Sequence, residues 1–243
     1  MVHTKEAVLM LDTPSESGES CVLGSTILRS QIVRIQFCSK MPLEVCQGEM
    51  WDVSAAHNRS ILAWAKKVFI YSKLLYELYI ASDTKIKLQN ARGLFWGYEN
   101  LCEINLDKWI DSSSVSDMSY MFCRCESLTS IDVSHFDTSH TESFARMFRD
   151  CAKIEILDVS HFQTQRVLHM ENMFYGCKCL KYLDLRGFDC SKAADLSYMF
   201  YGCQSLKNVL TAKRPSDRKH RAIMIELLAG CKKLAEEKKG MGI

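Results

Sequence analysis

The stretch MFCRCESLTSIDVSHFDTS at 121–139 returns as MFRDCAKIEILDVSHFQTQ at 147–165 and as MFYGCKCLKYLDLRGFDCS at 173–191. The interval is 26 residues each time. A fourth opening, MFYGCQSL, stands at 199–206, and the pattern fades after Val209. Three further columns keep the same register: Cys125, Cys151, Cys177 and Cys203; Leu128, Ile154, Leu180 and Leu206; Ile131, Leu157, Leu183 and Val209. A degenerate earlier copy opens at Leu94-Phe95 and runs through Leu101, Ile104, Asn105, Leu106 and Trp109, offset by 27 residues, with Tyr98 in the cysteine position. Terminal copies of a repeat array are often atypical because they close it.

One such unit cannot bury its own apolar face, whereas stacked units share a continuous core. In Ile131-Asp132-Val133 the apolar residues sit two apart, which predicts a short strand with Asp132 pointing out. Leu157-Asp158-Val159 and Leu183-Asp184-Leu185 repeat this, and corresponding strands would form a parallel sheet about 4.8 Å apart. Val115, Met118, Phe122 and Cys125 are spaced 3, 4 and 3, as are Val167, Met170, Phe174 and Cys177. That spacing predicts a short helical or 3-10 turn facing the strand. The expected fold class is a β-rich repeat solenoid with short helical turns.

The unit resembles the repeat of BspA-type leucine-rich-repeat surface proteins, including the related repeats of mycoplasma surface lipoproteins. Residues 94–210 carry the likeness. Upstream, Gln31 to Phe37, Trp51-Asp52-Val53-Ser54, Ala63-Trp64 and Leu78-Tyr79-Ile80 are similar to that family's non-repeat part, so that roughly residues 22–210 are covered. The resemblance implies a leucine-rich-repeat-like right-handed coil stack, surface display in bacteria, and adhesion or protein–protein binding.

Four segments are expected: a flexible polar arm at 1–21, an N-terminal β cap region at 22–93, the leucine-rich-repeat-like solenoid at 94–210, and a basic helical tail at 211–243. In the cap region Val33, Ile35 and Phe37 alternate with polar residues as a strand. Trp51 to Ser54 and Ile61 to Ala65 read as strands around His57 to Ser60, and Leu78 and Ile80 give another. The tail opens at Arg214-Pro215-Ser216-Asp217, a helix start, and holds nine basic residues against four acidic ones.

Of 243 residues, 47% are hydrophobic and 25% charged, which excludes wholesale disorder. The formal charge of +2 gives no footprint for nucleic acid, and none is expected as a partner. No run of 18 apolar residues predicts a transmembrane helix, and the apolar run Ala7 to Leu11 is too short for a signal-peptide core. Whether the protein sits at the cell surface, as the resemblance implies, or in the cytoplasm, as the missing signal would imply, is left open by the sequence.

The 12 cysteines fall mainly in apolar columns and read as small buried hydrophobes with free thiols. The C-x-C pairs Cys123/Cys125 and Cys177/Cys179 lack a matching histidine, so no metal is expected. No G-x-S-x-G, phosphate-loop glycine pattern or H-E-x-x-H occurs, so no catalytic residue or cofactor is nominated and the chain is expected not to be an enzyme. His135 and His161 read as exposed corner residues. The candidate ligand-binding residues form an outward strand strip: Asn105, Asp132, Asp158, Tyr182, Asp184 and Arg186. The expected function is a non-enzymatic protein- or glycan-binding module of bacterial surface or adhesion type, acting as a monomer. The alternative is an intracellular scaffold using the same face.

Overall fold

The structure, a computed structural model, describes residues 9, 23, 25–39, 50–56, 60–106 and 109–211. Its N-terminal part is a mixed sheet of five strands: β1 (Ile32–Cys38), β2 (Met50–Asp52), β3 (Ile61–Ile70), β4 (Lys73–Ser82) and, from the degenerate first repeat, the strand Glu103–Asn105. Two-residue strands β5 (Ile86–Lys87) and β7 (Ile110–Asp111) pair separately, so Glu103–Asn105 is β6 in chain order. The five-stranded order is β2-β3-β4-β1-β6. β2, β3 and β4 run antiparallel in turn, and β1 lies parallel to both β4 and β6.

The β-branched and aromatic content of these segments suits a half-buried pleated surface. On the inner face Ile35, Phe37, Ala63, Leu78 and Ile80 are buried. The register slips between Ile32 and Arg34, so Ile32 is buried in place of the expected Val33. β4 is longer than Leu78 and Ile80 suggest, because it forms a ten-residue hairpin with β3. That hairpin reverses through Tyr71 and Ser72, both left-handed with φ +47° and +65°. This is a primed turn without the Asn-Gly pair that usually announces one. Of the arm expected at 1–21, Leu9 alone is described. It is buried and bridges Ser54.

The expectation of a leucine-rich-repeat-like solenoid of strands and helical turns is overturned. Among the described residues the helical content is one three-residue 3-10 turn, Arg29–Gln31. The strands gather in the mixed sheet and two two-stranded parallel sheets, β5–β7 and β8 (Tyr182–Leu185) with β9 (Asn208–Thr211). The positions expected to be strand at 131–133 and 157–159 are irregular. The helix expected within 211–243 lies outside the described residues.

The helical turns fail for a backbone reason. Each copy holds two left-handed residues four apart: Tyr120 and Arg124, Arg146 and Asp150, Asn172 and Gly176, Tyr198 and Gly202, with φ from +56° to +80°. A left-handed residue interrupts an α-helix of L-amino acids. What forms instead is a run of tight turns, in which Met121, Cys123 and Cys125 donate to the carbonyls of Met118, Tyr120 and Phe122. Successive turns bury residues at the same three-to-four spacing as a helix, which is why the apolar pattern does not tell them apart.

The intervening N–H groups leave the turn and cross to the next copy. Met118, Tyr120, Phe122 and Arg124 donate to the carbonyls of Ser143, Ala145, Met147 and Arg149 at 2.7–3.0 Å. Phe144, Arg146, Phe148 and Asp150 donate likewise to His169, Glu171, Met173 and Tyr175. Parallel bridges link Asp117 to Ser143, Ser143 to His169 and His169 to Asp195. The repeats therefore lie side by side in register.

Packing follows that register. Phe95, Phe122, Phe148, Phe174 and Phe200 stack with centroids 5.3–5.9 Å apart and planes within 13°. Burying each ring contributes about 2–3 kcal/mol, and each aromatic pair about 0.5–1.5 kcal/mol more. Beside this ladder Cys125, Cys151, Cys177 and Cys203 donate their thiol hydrogens to the carbonyls of Phe95, Phe122, Phe148 and Phe174 at 3.0–3.1 Å. Buried Thr138 and Thr164 bridge to the next copy through hydroxyls bonded to Gln163 and Asp189.

The ladder's polarity leaves carbonyls facing the N-terminal side, and Arg29 closes that side. Its guanidinium Nη1 donates to the carbonyl oxygens of Gly93 (3.1 Å) and Trp96 (2.8 Å) and lies 5.3 Å from the Tyr98 ring centroid. At Gly176 (φ +72°) an added Cβ would collide with the Asp150 carboxylate.

Candidate functional site

The outward strip is built of columns two residues apart, which place alternate side chains on one face. Glu103, Ser130, Ile156, Tyr182 and Asn208 form one column; Asn105, Asp132, Asp158 and Asp184 form the next. Ile156 bridges Tyr182 in parallel, and β8 pairs β9 from Tyr182↔Asn208 to Leu185↔Thr211.

The expected polar residues of the second column are engaged with their own chain. The Asn105 amide accepts from the Phe37 N–H (2.6 Å) and donates to its carbonyl (3.3 Å), extending the β1–β6 ladder by one rung. The Asp132 Oδ1 accepts the Ser134 N–H at 2.9 Å. The Asp158 Oδ1 accepts both the N–H (2.9 Å) and the hydroxyl (2.7 Å) of Ser160. Asp184 accepts the Arg186 N–H (3.1 Å), and its Oδ2 accepts from the Arg186 guanidinium at 2.7 Å. These are Asx turns, in which a short carboxylate takes the place of a backbone acceptor. Asp52, Asp111, Asp117, Asp137, Asp189 and Asp195 do the same for the N–H two residues on.

The hydrogen bonds hold the Asp132 and Asp158 carboxyls below the usual carboxylate range, Ser134 and Ser160 being the principal donors. Arg186 does this for Asp184. Their first role is to set corners.

What the strip offers outward is its first column. Ile156 is 68% exposed and Tyr182 40% exposed. A β-branched residue left in solvent next to an exposed aromatic is the opposite of what folding favours. The pair is flanked by two ion pairs, Glu155 with Lys181 and Asp184 with Arg186. Of the six residues nominated from sequence, the structure brings Tyr182, Asp184 and Arg186 together, with Asp158 one copy earlier, Asp132 two copies earlier and Asn105 at the far end.

Spacing places Ile156 on this strip, although the six candidates favour its polar neighbours. The charged lead-in to the strip has no local signal at all. In the N-terminal sheet Arg34 faces Glu77 on β4 and Glu103 on β6, with ion pairs of 2.8 and 2.9 Å, and Lys66 stands 4.0 Å from Glu77. Only strand pairing, which no local pattern encodes, puts Arg34 beside Glu103.

On the turn side, Arg92 and Arg146 lie 5.0 and 5.1 Å from the Tyr120 ring centroid, and Arg146 donates to the Tyr120 hydroxyl at 2.6 Å. Arg149 lies 4.6 Å from the Tyr175 centroid, and Tyr175 stacks on Tyr201. These cations and rings satisfy one another along the array.

The thiols of Cys123, Cys125, Cys151, Cys177 and Cys203 are buried, whereas Cys102 is exposed. Burial pushes Cys123 up to about 12 and raises Cys125, Cys151 and Cys177 as well, so they are neutral at ordinary pH. A thiol held neutral is neither nucleophile nor metal ligand. Among the described residues no cluster of His, Cys, Asp and Glu is arranged to hold a metal ion. No helix among them is long and apolar enough to cross a membrane.

A family model described as Mycoplasma protein of unknown function, DUF285, matches residues 87–213, the repeat region together with the segment that leads into it. No curated protein matches the chain. No solved structure matches it either.

Proposed function

The chain belongs to the DUF285 family, and from that premise we propose that it is a non-enzymatic binding module that takes a protein or glycan partner on its outward strip. The observation that carries this reading is the exposed pair Ile156 and Tyr182, neighbours on the strip through a parallel bridge. Covering such a pair is worth about 1.5–3 kcal/mol per side chain, and tyrosine is among the residues that dominate binding energy at interface centres. The flanking pairs Glu155–Lys181 and Asp184–Arg186 supply a polar rim that fixes register without adding much affinity. The likeness of the repeat to BspA-type surface proteins favours an adhesive role at the cell surface.

The test is a binding screen of the full chain against matrix proteins and glycans, with an Ile156→Ser/Tyr182→Ala variant as control. The reading expects a binder whose affinity falls at least about tenfold in the variant, with the melting curve unchanged. A binder retained at full strength by the variant would move the site elsewhere on the molecule.

A further inference from the structure

The hairpin of β3 and β4 outruns the sheet that holds it. Among the described residues β2 pairs with Leu62 to Trp64, and β1 reaches β4 only from Tyr76 onward. From Val68 to Leu75 the two strands pair with each other, through Val68↔Leu75, Phe69↔Leu74 and Ile70↔Lys73. This ribbon carries the most exposed apolar side chains of the described residues. Tyr71 is 97% and Phe69 73% exposed, and Ile70 and Leu74 are exposed as well.

Two features of this tip say what covers it. Side chains alternate along a strand, so Phe69 and its partner Leu74 share one face, Ile70 lies on the other, and Tyr71 stands at the turn. A folded protein partner presents a surface to one face; an apolar medium that surrounds the ribbon covers both. The second feature is charge. Lys66 and Lys67 lie just behind the apolar tip on β3, and Lys73 opens β4. Lys66 has Glu77 at 4.0 Å, while Lys67 and Lys73 make no ion pair among the described residues. An apolar tip with a collar of lysines is complementary to the interface of an anionic bilayer, with acyl chains below and lipid phosphates above, and lysine stems long enough to reach the phosphates.

We propose that this hairpin is a membrane-surface anchor. Phe69, Ile70, Tyr71 and Leu74 enter the interface of an anionic bilayer, and Lys66, Lys67 and Lys73 contact its phosphates. The contact is peripheral and reversible, because one hairpin tip buries far less than a spanning segment. It is separate from the outward strip, so either assignment can fail without the other.

The experiment is co-sedimentation of the full chain with vesicles of phosphatidylcholine alone and of phosphatidylcholine mixed with phosphatidylglycerol. The wild-type chain should sediment with the mixed vesicles and remain in the supernatant with the neutral ones, and salt should weaken the association. Phe69→Ser/Tyr71→Asn and Lys67→Glu/Lys73→Glu should each weaken it at least about tenfold. Both pairs are solvent-exposed, so melting temperatures should match wild type and exclude misfolding as the cause. Absence of binding to the mixed vesicles would overturn the proposal, as would equal binding by either variant. So would self-association in solution that the Phe69→Ser/Tyr71→Asn variant abolishes while vesicles stay unbound, since that would make the tip a protein contact.

Discussion

The Cys151 thiol donates to the carbonyl oxygen of Phe122 across 3.1 Å, from one repeat back to the one before it. Cys125, Cys177 and Cys203 do the same to Phe95, Phe148 and Phe174. The column is thus a row of buried donors as well as a row of small apolar groups. The two roles are separable. Cys151→Ala removes sulfur and donor together and should cost about 1–3 kcal/mol in urea unfolding. Cys151→Ser keeps a donor and should cost less. If serine proves worse than alanine, the thiol matters only for its apolar volume.

Arg29 serves the array in a comparable way at its first copy. Its guanidinium takes the carbonyls of Gly93 and Trp96. Arg29→Met should cost about 1–3 kcal/mol, chiefly by leaving the Trp96 carbonyl without its donor, since the Gly93 carbonyl keeps the Trp96 N–H. Arg29→Lys should recover part of the loss, because an ammonium can still reach Trp96. Equal losses in the two variants would mean that packing, not hydrogen bonding, fixes this residue.

The Asx turns make stability fall in acid. Asp111, Asp132, Asp137, Asp158 and Asp195 have carboxyls held below the ordinary value by the serine groups two residues on. A depressed folded-state value means that the unfolded chain binds protons first as pH drops. The stabilisation is therefore complete above the ordinary carboxylate value and lost as pH falls through the lower folded values. Asp158→Asn keeps an acceptor for Ser160 while removing the titration. It should flatten the acid limb slightly with little change at neutral pH, whereas Asp158→Ala should lose about 0.5–1.5 kcal/mol at pH 7. Denaturation midpoints between pH 3 and 7 check both.

The thiols set the alkaline limb. Burial holds Cys123 at about 12 and Cys190 at about 11, against an ordinary value of 9.0. Between the ordinary and raised values the unfolded chain has released protons that the folded chain keeps. Stability should thus decline as pH rises above about 9. Alkylation at pH 8 followed by peptide mapping should label exposed Cys102 quickly. Cys125, Cys151 and Cys177 should follow only at the rate of unfolding. Rapid labelling of Cys151 in the native protein would contradict its burial.

Much of the packing is legible in the amino-acid sequence alone. The interval of 26 puts the phenylalanine and cysteine columns in line, because side chains that repeat together are buried together. The backbone conformation is not legible. Tyr120, Arg124, Arg146 and Tyr198 are left-handed without being glycine or asparagine, so the turns that replace the expected helix are marked only in the copies that carry Gly93 and Gly97, Asn172 and Gly176, or Gly202. Neighbouring repeats impose that conformation through the ladder from Phe122 to Met147 and from Phe148 to Met173. For the strip, spacing places Asp132, Asp158 and Asp184 on the outward face, but charge is a poor guide to what that face offers. The carboxylates hold the corners, and the exposed apolar members of the pattern are Ile156 and Tyr182.

The side-by-side stacking of repeats depends on a register of 26 residues. Thermal unfolding of two deletion variants, followed by far-UV circular dichroism, tests this most directly. Removing residues 148–173 joins Met147 to Phe174 and leaves every column in line. That variant should unfold cooperatively at a reduced melting temperature. Removing only residues 148–160 puts the thiol and phenyl columns out of line and should abolish the cooperative transition. If the two deletions behave alike, the register does not hold the molecule together.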